Sequence, residues 1–150
     1  MSPERLWLLS IRLHRLGWRR VARVFKALNA LIYSNALPPE ATVADDVLLW
    51  HHGLGVVIHP DTTIGRRVQI AHHVTIGAGS GAIGTPYGVV IEDDVIVATG
   101  AVIAPRPNTK LTIGAGSVVG ANAVVLSDVP PGATVVGANR ILSSRTSSPM

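Results

Sequence analysis

The chain has no cysteine. That excludes a disulfide scaffold, a thiolate zinc site and a cysteine nucleophile. Aromatic residues are scarce, at 4% with a single Phe, although hydrophobic residues make up 47%. A core drawn from this composition has to be built from Val, Ile, Leu and Ala. Charged side chains are 15% of the chain, too few for the highly charged composition of a disordered protein. No apolar run reaches the roughly 18–20 residues that a membrane span needs. The N-terminal apolar run, Leu6 to Ile11, is short and leads into more arginines. It does not have the form of a signal peptide, so a cytoplasmic protein is expected.

A length of 150 residues suits one domain with a core of its own. The net charge of +4 is unevenly placed. Residues 1–35 hold seven basic side chains against Glu4, a net +6, whereas residues 36–150 hold six basic and eight acidic ones, a net −2. The basic segment has neither aromatic platforms nor a helix-turn-helix pattern, so no nucleic-acid partner is expected.

Residues 4–33 have helical periodicity. Leu9, Leu13, Leu16, Val21, Val24, Phe25, Leu28 and Ile32 recur at spacings near 3–4, with arginines between them. Gly17 divides the segment into two helices. Two readings stand. The stripe packs as a cap on the rest of the protein or on another subunit, which is the favoured one. Alternatively it lies as an amphipathic helix on an anionic membrane surface. Pro38-Pro39 ends the helical part. The expected organisation is a helical cap over residues 1–36, a second unit over 37–142, and a Ser-rich tail over 143–150 that is expected to be disordered.

The strongest pattern lies between residues 41 and 129, where an aliphatic residue recurs every six positions. Ile58, Ile64, Ile70 and Ile76 form one series; Ile91, Val97 and Ile103 another; Ile113, Val119 and Val125 a third; Val43 and Leu49 begin the run. Small residues usually follow, among them Gly65, Ala71, Gly77, Ala98, Gly114 and Gly120. A second small or β-branched set, such as Thr62, Val68, Val74, Val95 and Ser117, falls four residues after the aliphatic one. A period of six fits neither a helix nor a heptad coil. It is even, as strand alternation requires, and it matches the hexapeptide class of parallel β-helix. Three short strands then make one triangular coil of about 18 residues. A narrow prism filled with stacked Ile and Val has no room for large rings, which accounts for the missing aromatics. The pattern breaks at Leu49–Ile58, Ile76–Ile91 and Ile103–Ile113, where loops should leave the prism. The remainder amounts to a little over four coils at about 18 residues each. So short a prism exposes its end strands, and caps or oligomer contacts are expected there.

Five of the six histidines fall between residues 51 and 73: His51, His52, His59, His72 and His73. Histidine suits proton transfer near neutral pH. Imidazole-only zinc sites on such a scaffold, as in γ-class carbonic anhydrases, take a histidine followed by a pair five residues apart. No two histidines here are so spaced, and no metal is expected.

The six-residue pattern resembles that of the hexapeptide-repeat acyltransferases, which fold as a left-handed parallel β-helix, the exception to right-handed crossovers. The stretch from His52-Gly53-Leu54-Gly55, through Val74-Thr75-Ile76-Gly77, to Val129-Pro130-Pro131 resembles the serine acetyltransferase branch over roughly residues 36–142. The resemblance implies a mainly β chain that transfers acetyl from acetyl-CoA to a hydroxyl of serine or a sugar. A histidine is the general base. Counting from Val74-Thr75-Ile76-Gly77 makes that base His52; counting from Pro39 makes it His51; aligning Ile58-His59-Pro60 makes it His72. The first is preferred. The acceptor is expected near His72, His73 and Thr85. CoA is expected along a groove between subunits of a homotrimer, near Gly77, Thr99 and Ala121, with Arg140 meeting a phosphate and Lys110 replacing the family's basic residue near the pantetheine, which falls here at Val118.

Several family features are missing. The acid that orients the base falls at Ala36 or Leu37, and the Arg-His pair that holds a serine carboxylate falls near Gly84-Thr85. Nothing in the sequence is specific for serine. Transfer to an amine or amino sugar, and a non-catalytic β-helix kept for assembly, therefore stand as alternatives.

Overall fold

The computed structural model describes residues 1–77 and 86–137. Thr85, Arg140, the insertion at 78–85 and the tail at 143–150 lie outside the described residues.

From Thr42 onward the chain winds as a parallel β-helix. The first coil comprises β1 (Thr42–Val43), β2 (Leu48–Leu49) and β3 (Val57–Ile58), and the second β4 (Thr62–Ile64), β5 (Gln69–Ile70) and β6 (Thr75–Ile76). The third comprises β7 (Gly88–Ile91), β8 (Ile96–Val97) and β9 (Val102–Ile103). The fourth comprises β10 (Lys110–Ile113), β11 (Val118–Val119) and β12 (Val124–Val125), and β13 (Thr134–Val135) begins a fifth. Like positions pair between coils, all parallel. The first sheet runs β1-β4-β7-β10, the second β2-β5-β8-β11-β13, and the third β3-β6-β9-β12.

Register explains the six-residue period. Val43, Ile64, Ile91 and Ile113 stand directly over one another in the first sheet. Leu49, Ile70, Val97 and Val119 do so in the second, and Ile58, Ile76, Ile103 and Val125 in the third. All twelve are buried and meet in one core. The second set lies inside as well: Thr62, Val68, Val74, Val95, Ala101, Ser117, Ala123 and Val129 are buried. In the four complete coils each two-residue strand buries one side chain and turns the other outward, so the coil wall is one residue thick.

Two helices precede the prism, α1 (Pro3–Arg15) and α2 (Arg19–Tyr33). α1 starts at an N-cap, Ser2, with Pro3 in the first turn and Glu4 near the positive helix end. It seals the open end of the first coil. Leu6, Trp7 and Ile11 are buried, the Trp7 indole donates to the Pro38 carbonyl at 2.8 Å, and the edge-strand amide of Leu49 donates to the Glu4 carboxylate at 3.0 Å. An edge that would otherwise invite strand pairing is thereby closed.

The expected apolar stripe divides differently. α1 buries Leu6, Trp7 and Ile11, with Leu9 and Leu13 only partly covered, while Leu16, Val21, Val24, Leu28 and Ile32 remain exposed in this chain. α2 leans on α1 by a narrow edge, through Ala22 and through Asn29, whose amide donates to the Pro3 carbonyl at 2.9 Å. Among the described residues no helix is long and apolar enough to cross a membrane.

Candidate functional site

One edge of the prism, where the second sheet turns into the third, gathers most of the expected residues. In the first coil the turn Trp50–Gly53 fills the insertion between β2 and β3 and carries His51 and His52. In the second coil His72 and His73 lie between β5 and β6; in the third Thr99 lies between β8 and β9; in the fourth Ala121 lies between β11 and β12. Backbone hydrogen bonds step from coil to coil along this edge: His73 to the Leu54 carbonyl at 2.8 Å, Gly100 to that of His72 at 3.2 Å, Asn122 to that of Thr99 at 2.9 Å.

The turn is strained. His51 and His52 are consecutive residues in the left-handed region, with φ of 51° and 59°, a conformation that costs a side-chain-bearing residue about 1–2 kcal/mol. It is held by Val56 donating to Gly53 at 3.0 Å and Gly55 donating to Ser34 at 2.9 Å, which ties it to the end of α2. Single left-handed residues also occur at coil corners such as Arg67, His73, Asp94 and Asn122, so what sets this turn apart is that two stand in succession. The two rings point to different neighbours. The ring of His51 meets His72 edge-on at 4.8 Å between centroids, and His72 meets His73 at 5.4 Å. The ring of His52 lies nearly parallel to Tyr33, at 5.6 Å and 17°.

His51 and His52 are exposed and His72 is half-buried. His72 Nδ1 is itself buried and has no hydrogen-bond partner among the described residues. Such an atom costs about 1–3 kcal/mol when unmatched. The His73 ring lies against Gly55, whose φ is +67°; a Cβ there would fall on Nδ1 of His73. Glycine at 55 is therefore favoured by its backbone angle and leaves room for that ring.

The other expected residues lie elsewhere. Gly77 and Lys110 occupy the next edge, between the third and first sheets. Gly77 has φ +81°, and a Cβ there would strike the side chain of His59, so the chain's own packing explains this glycine. His59 also packs edge-on against Tyr87 at 4.9 Å, and its Nδ1 accepts from the Asp61 amide at 3.1 Å. Lys110 lines a hollow with Glu40, Asp61 and Tyr87. Burial, aided by the Asp61 charge, pushes the Tyr87 phenol above its ordinary value, and its hydroxyl donates to the Gly77 carbonyl at 3.2 Å.

At the positions where an orienting acid was sought, Ala36 bridges to Val57 and Leu37 is buried in the core. Among the described residues the one histidine–carboxylate approach is His59 to Asp61, at 3.9 Å. The neighbour that sequence reasoning missed is Tyr33. The signal was slight: one of two tyrosines, in an aromatic-poor chain, closing the helix before Pro38-Pro39. No group of three His, Cys, Asp or Glu side chains among the described residues is arranged to hold a metal.

No protein-family model matches the chain. It is 35% identical over 130 residues to the serine acetyltransferase of Helicobacter pylori (strain J99), covering 87% of this chain and 72% of that protein. It is 38% identical over 122 residues to the serine acetyltransferase of Mycobacterium tuberculosis, covering 81% of this chain and 50% of that protein. Among solved structures, that of Neisseria gonorrhoeae serine acetyltransferase superposes with a TM-score of 0.77 at 31% identity, over 89% of this chain and 49% of that one. The chain spans about half the length of the Mycobacterium and Neisseria proteins.

Proposed function

The chain belongs to the serine acetyltransferase family and has its left-handed parallel β-helix, and on that premise we propose that it transfers acetyl from acetyl-CoA to a small-molecule hydroxyl. The observation that carries the proposal is the strained pair His51-His52, set on the same prism edge as His72 and His73. Of the two, His52 is assigned as the general base on its spacing from Val74-Thr75-Ile76-Gly77, with His51, whose ring meets His72, the alternative. The base takes the acceptor's hydroxyl proton as the oxygen attacks the thioester carbonyl. The tetrahedral adduct then collapses, the C–S bond breaks, and the imidazolium returns the proton to the departing CoA thiolate.

Tyr33 does part of what an orienting carboxylate would do. It holds the His52 ring in one plane by stacking, and its own hydroxyl is anchored on the Met1 carbonyl. It supplies no negative charge, so the imidazolium formed during transfer gains less stabilisation than from a carboxylate. His72, whose ring lies between those of His51 and His73, stands where the acceptor would be contacted. The acyl carrier runs up the same edge past Thr99 and Ala121, whose small side chains leave the backbone within reach of a pantetheine arm. Lys110, on the next edge, takes part through a neighbouring subunit of a homotrimer or meets a phosphate at the far end. The cysteine-free chain has no disulfide to gain from an oxidising compartment, in keeping with a cytoplasmic reaction.

The test is thiol release from acetyl-CoA by the purified full chain, offered L-serine, sugars and amines in parallel. Hydroxyl-dependent release, with CoA binding seen by calorimetry, is the expected result. Absence of CoA binding, or release that depends only on amines, would overturn the proposal.

A further inference from the structure

α2 leaves uncovered what an amphipathic helix usually buries. Val21, Val24, Leu28, Leu31 and Ile32 recur on one face and are 38, 57, 40, 81 and 60% exposed. Leu16 and Trp18, in the turn before the helix, extend the strip at 73 and 63%. The remaining polar surface of the helix is cationic: Arg19, Arg20, Arg23 and Lys26, with no acid anywhere in α2. None of these four forms an ion pair among the described residues. A shallow hollow at the start of the helix is lined by Gly17, Trp18, Arg19, Arg20 and Val21. The one acid of the segment, Glu4, is engaged by the Leu49 amide.

We propose that this face of α2 docks on an anionic lipid surface, with the helix lying in the headgroup plane. Charge complementarity selects the occupant. A second copy of α2 would cover the apolar strip, but it would bring a second cationic array close to the first with no acid on either helix to offset it. A lipid surface covers the strip with the acyl boundary and matches the array with phosphates. Trp18 then sits at the interface, and arginine stems reach outward from the border of the strip. The helix lies on the surface rather than across it, being 15 residues long. Tyr33, its last residue, touches His52, so the docked helix keeps the histidine edge one side chain away. The proposal does not depend on the acetyl-transfer reading.

The experiment is flotation of the full chain with vesicles of phosphatidylcholine alone and of phosphatidylcholine with phosphatidylglycerol, with sedimentation of the vesicle-free chain in parallel. The expected result is binding to the anionic vesicles only, a blue shift of tryptophan emission, and loss of binding as salt approaches about 0.5 M. Leu31→Glu, at an exposed position that leaves the fold intact, lowers the affinity at least about tenfold. Arg19→Gln with Arg23→Gln lowers it about fivefold per charge. Circular dichroism and melting confirm that each variant is folded. The proposal is overturned if the wild-type chain ignores anionic vesicles at low salt, or if Leu31→Glu binds as tightly as wild type. It is equally overturned if Leu31→Glu reduces the mass of the assembly while vesicles have no effect, which would assign the face to a second copy.

Discussion

The two adjacent histidines can be separated by experiment because the structure gives them different neighbours. His52 faces Tyr33 and His51 faces His72. If His52 is the base, His52→Ala lowers kcat by about 10²–10⁴-fold, the usual contribution of a general base. His51→Ala loses only an edge-on ring contact and changes kcat far less. Tyr33 acts through His52, as a positioning residue. An aromatic pair of this kind is worth about 0.5–1.5 kcal/mol, so Tyr33→Ala lowers kcat about two- to thirteenfold. Tyr33→Phe keeps the ring and recovers most of that loss. In a His52→Ala background, Tyr33→Ala adds nothing, because the group it positions is gone. The assay is initial-rate thiol release from acetyl-CoA with the best acceptor, with kcat and KM resolved for each variant. The reasoning is refuted if His51→Ala abolishes turnover while His52→Ala does not, or if Tyr33→Ala costs the same with and without His52.

Other outcomes follow from packing. Ile91, stacked between Ile64 and Ile113 in the first sheet and 1% exposed, loses about 2–5 kcal/mol of stability as Ile91→Ala. Val124→Ala, on an outward position of the third sheet at 61% exposure, stays within about 0.5 kcal/mol; urea denaturation midpoints compare the two. Gly55→Ala places a methyl group on the His73 ring at a φ of +67°. It is expected to cost at least about 1–2 kcal/mol, seen as a lower Tm, and to reduce turnover because His72 packs against that ring. Tyr87→Phe removes a buried hydrogen bond to Gly77 at about 1 kcal/mol. Since the folded chain holds the Tyr87 phenol above its ordinary value of 10.0, the neutral form is the one the fold favours. Stability from this group is full below pH 10 and is lost as pH climbs through the raised value. Tyr87→Phe should therefore show a shallower alkaline decline in thermal melts than wild type.

The prism was legible in the sequence because its physics is local and repetitive. An aliphatic residue every six positions can be satisfied only if like positions stack, as Ile64, Ile91 and Ile113 do, and every member of the series proved buried. The breaks at Leu49–Ile58 and Ile103–Ile113 were legible too, since an insertion cannot enter a wall one residue thick. The helices were legible only as helices. α1 carries leucines on more than one face, and its buried set, Leu6, Trp7 and Ile11, is chosen by the fit of the indole under Pro38. Periodicity shows that an apolar face exists, not what covers it.

The candidate site divides along the same line. Clustered histidines stood out because polar aromatics are rare in this composition. Which ring would be held, and by what, depended on a contact across nineteen positions of chain, from Tyr33 to His52. That contact requires the left-handed Ser34 (φ 52°) to turn the chain off α2, and the Ser34 carbonyl to receive the Gly55 amide. No spacing rule encodes such an arrangement. It also reinterprets the missing acid. With Leu37 committed to the core, a carboxylate at that position would be a charge buried without a partner, a costly placement. Orientation of His52 falls instead to the end of α2. The helix whose outer face we assign to a lipid surface is thus the element that aims the proposed base, and any force that displaces α2 should register first as a loss in kcat.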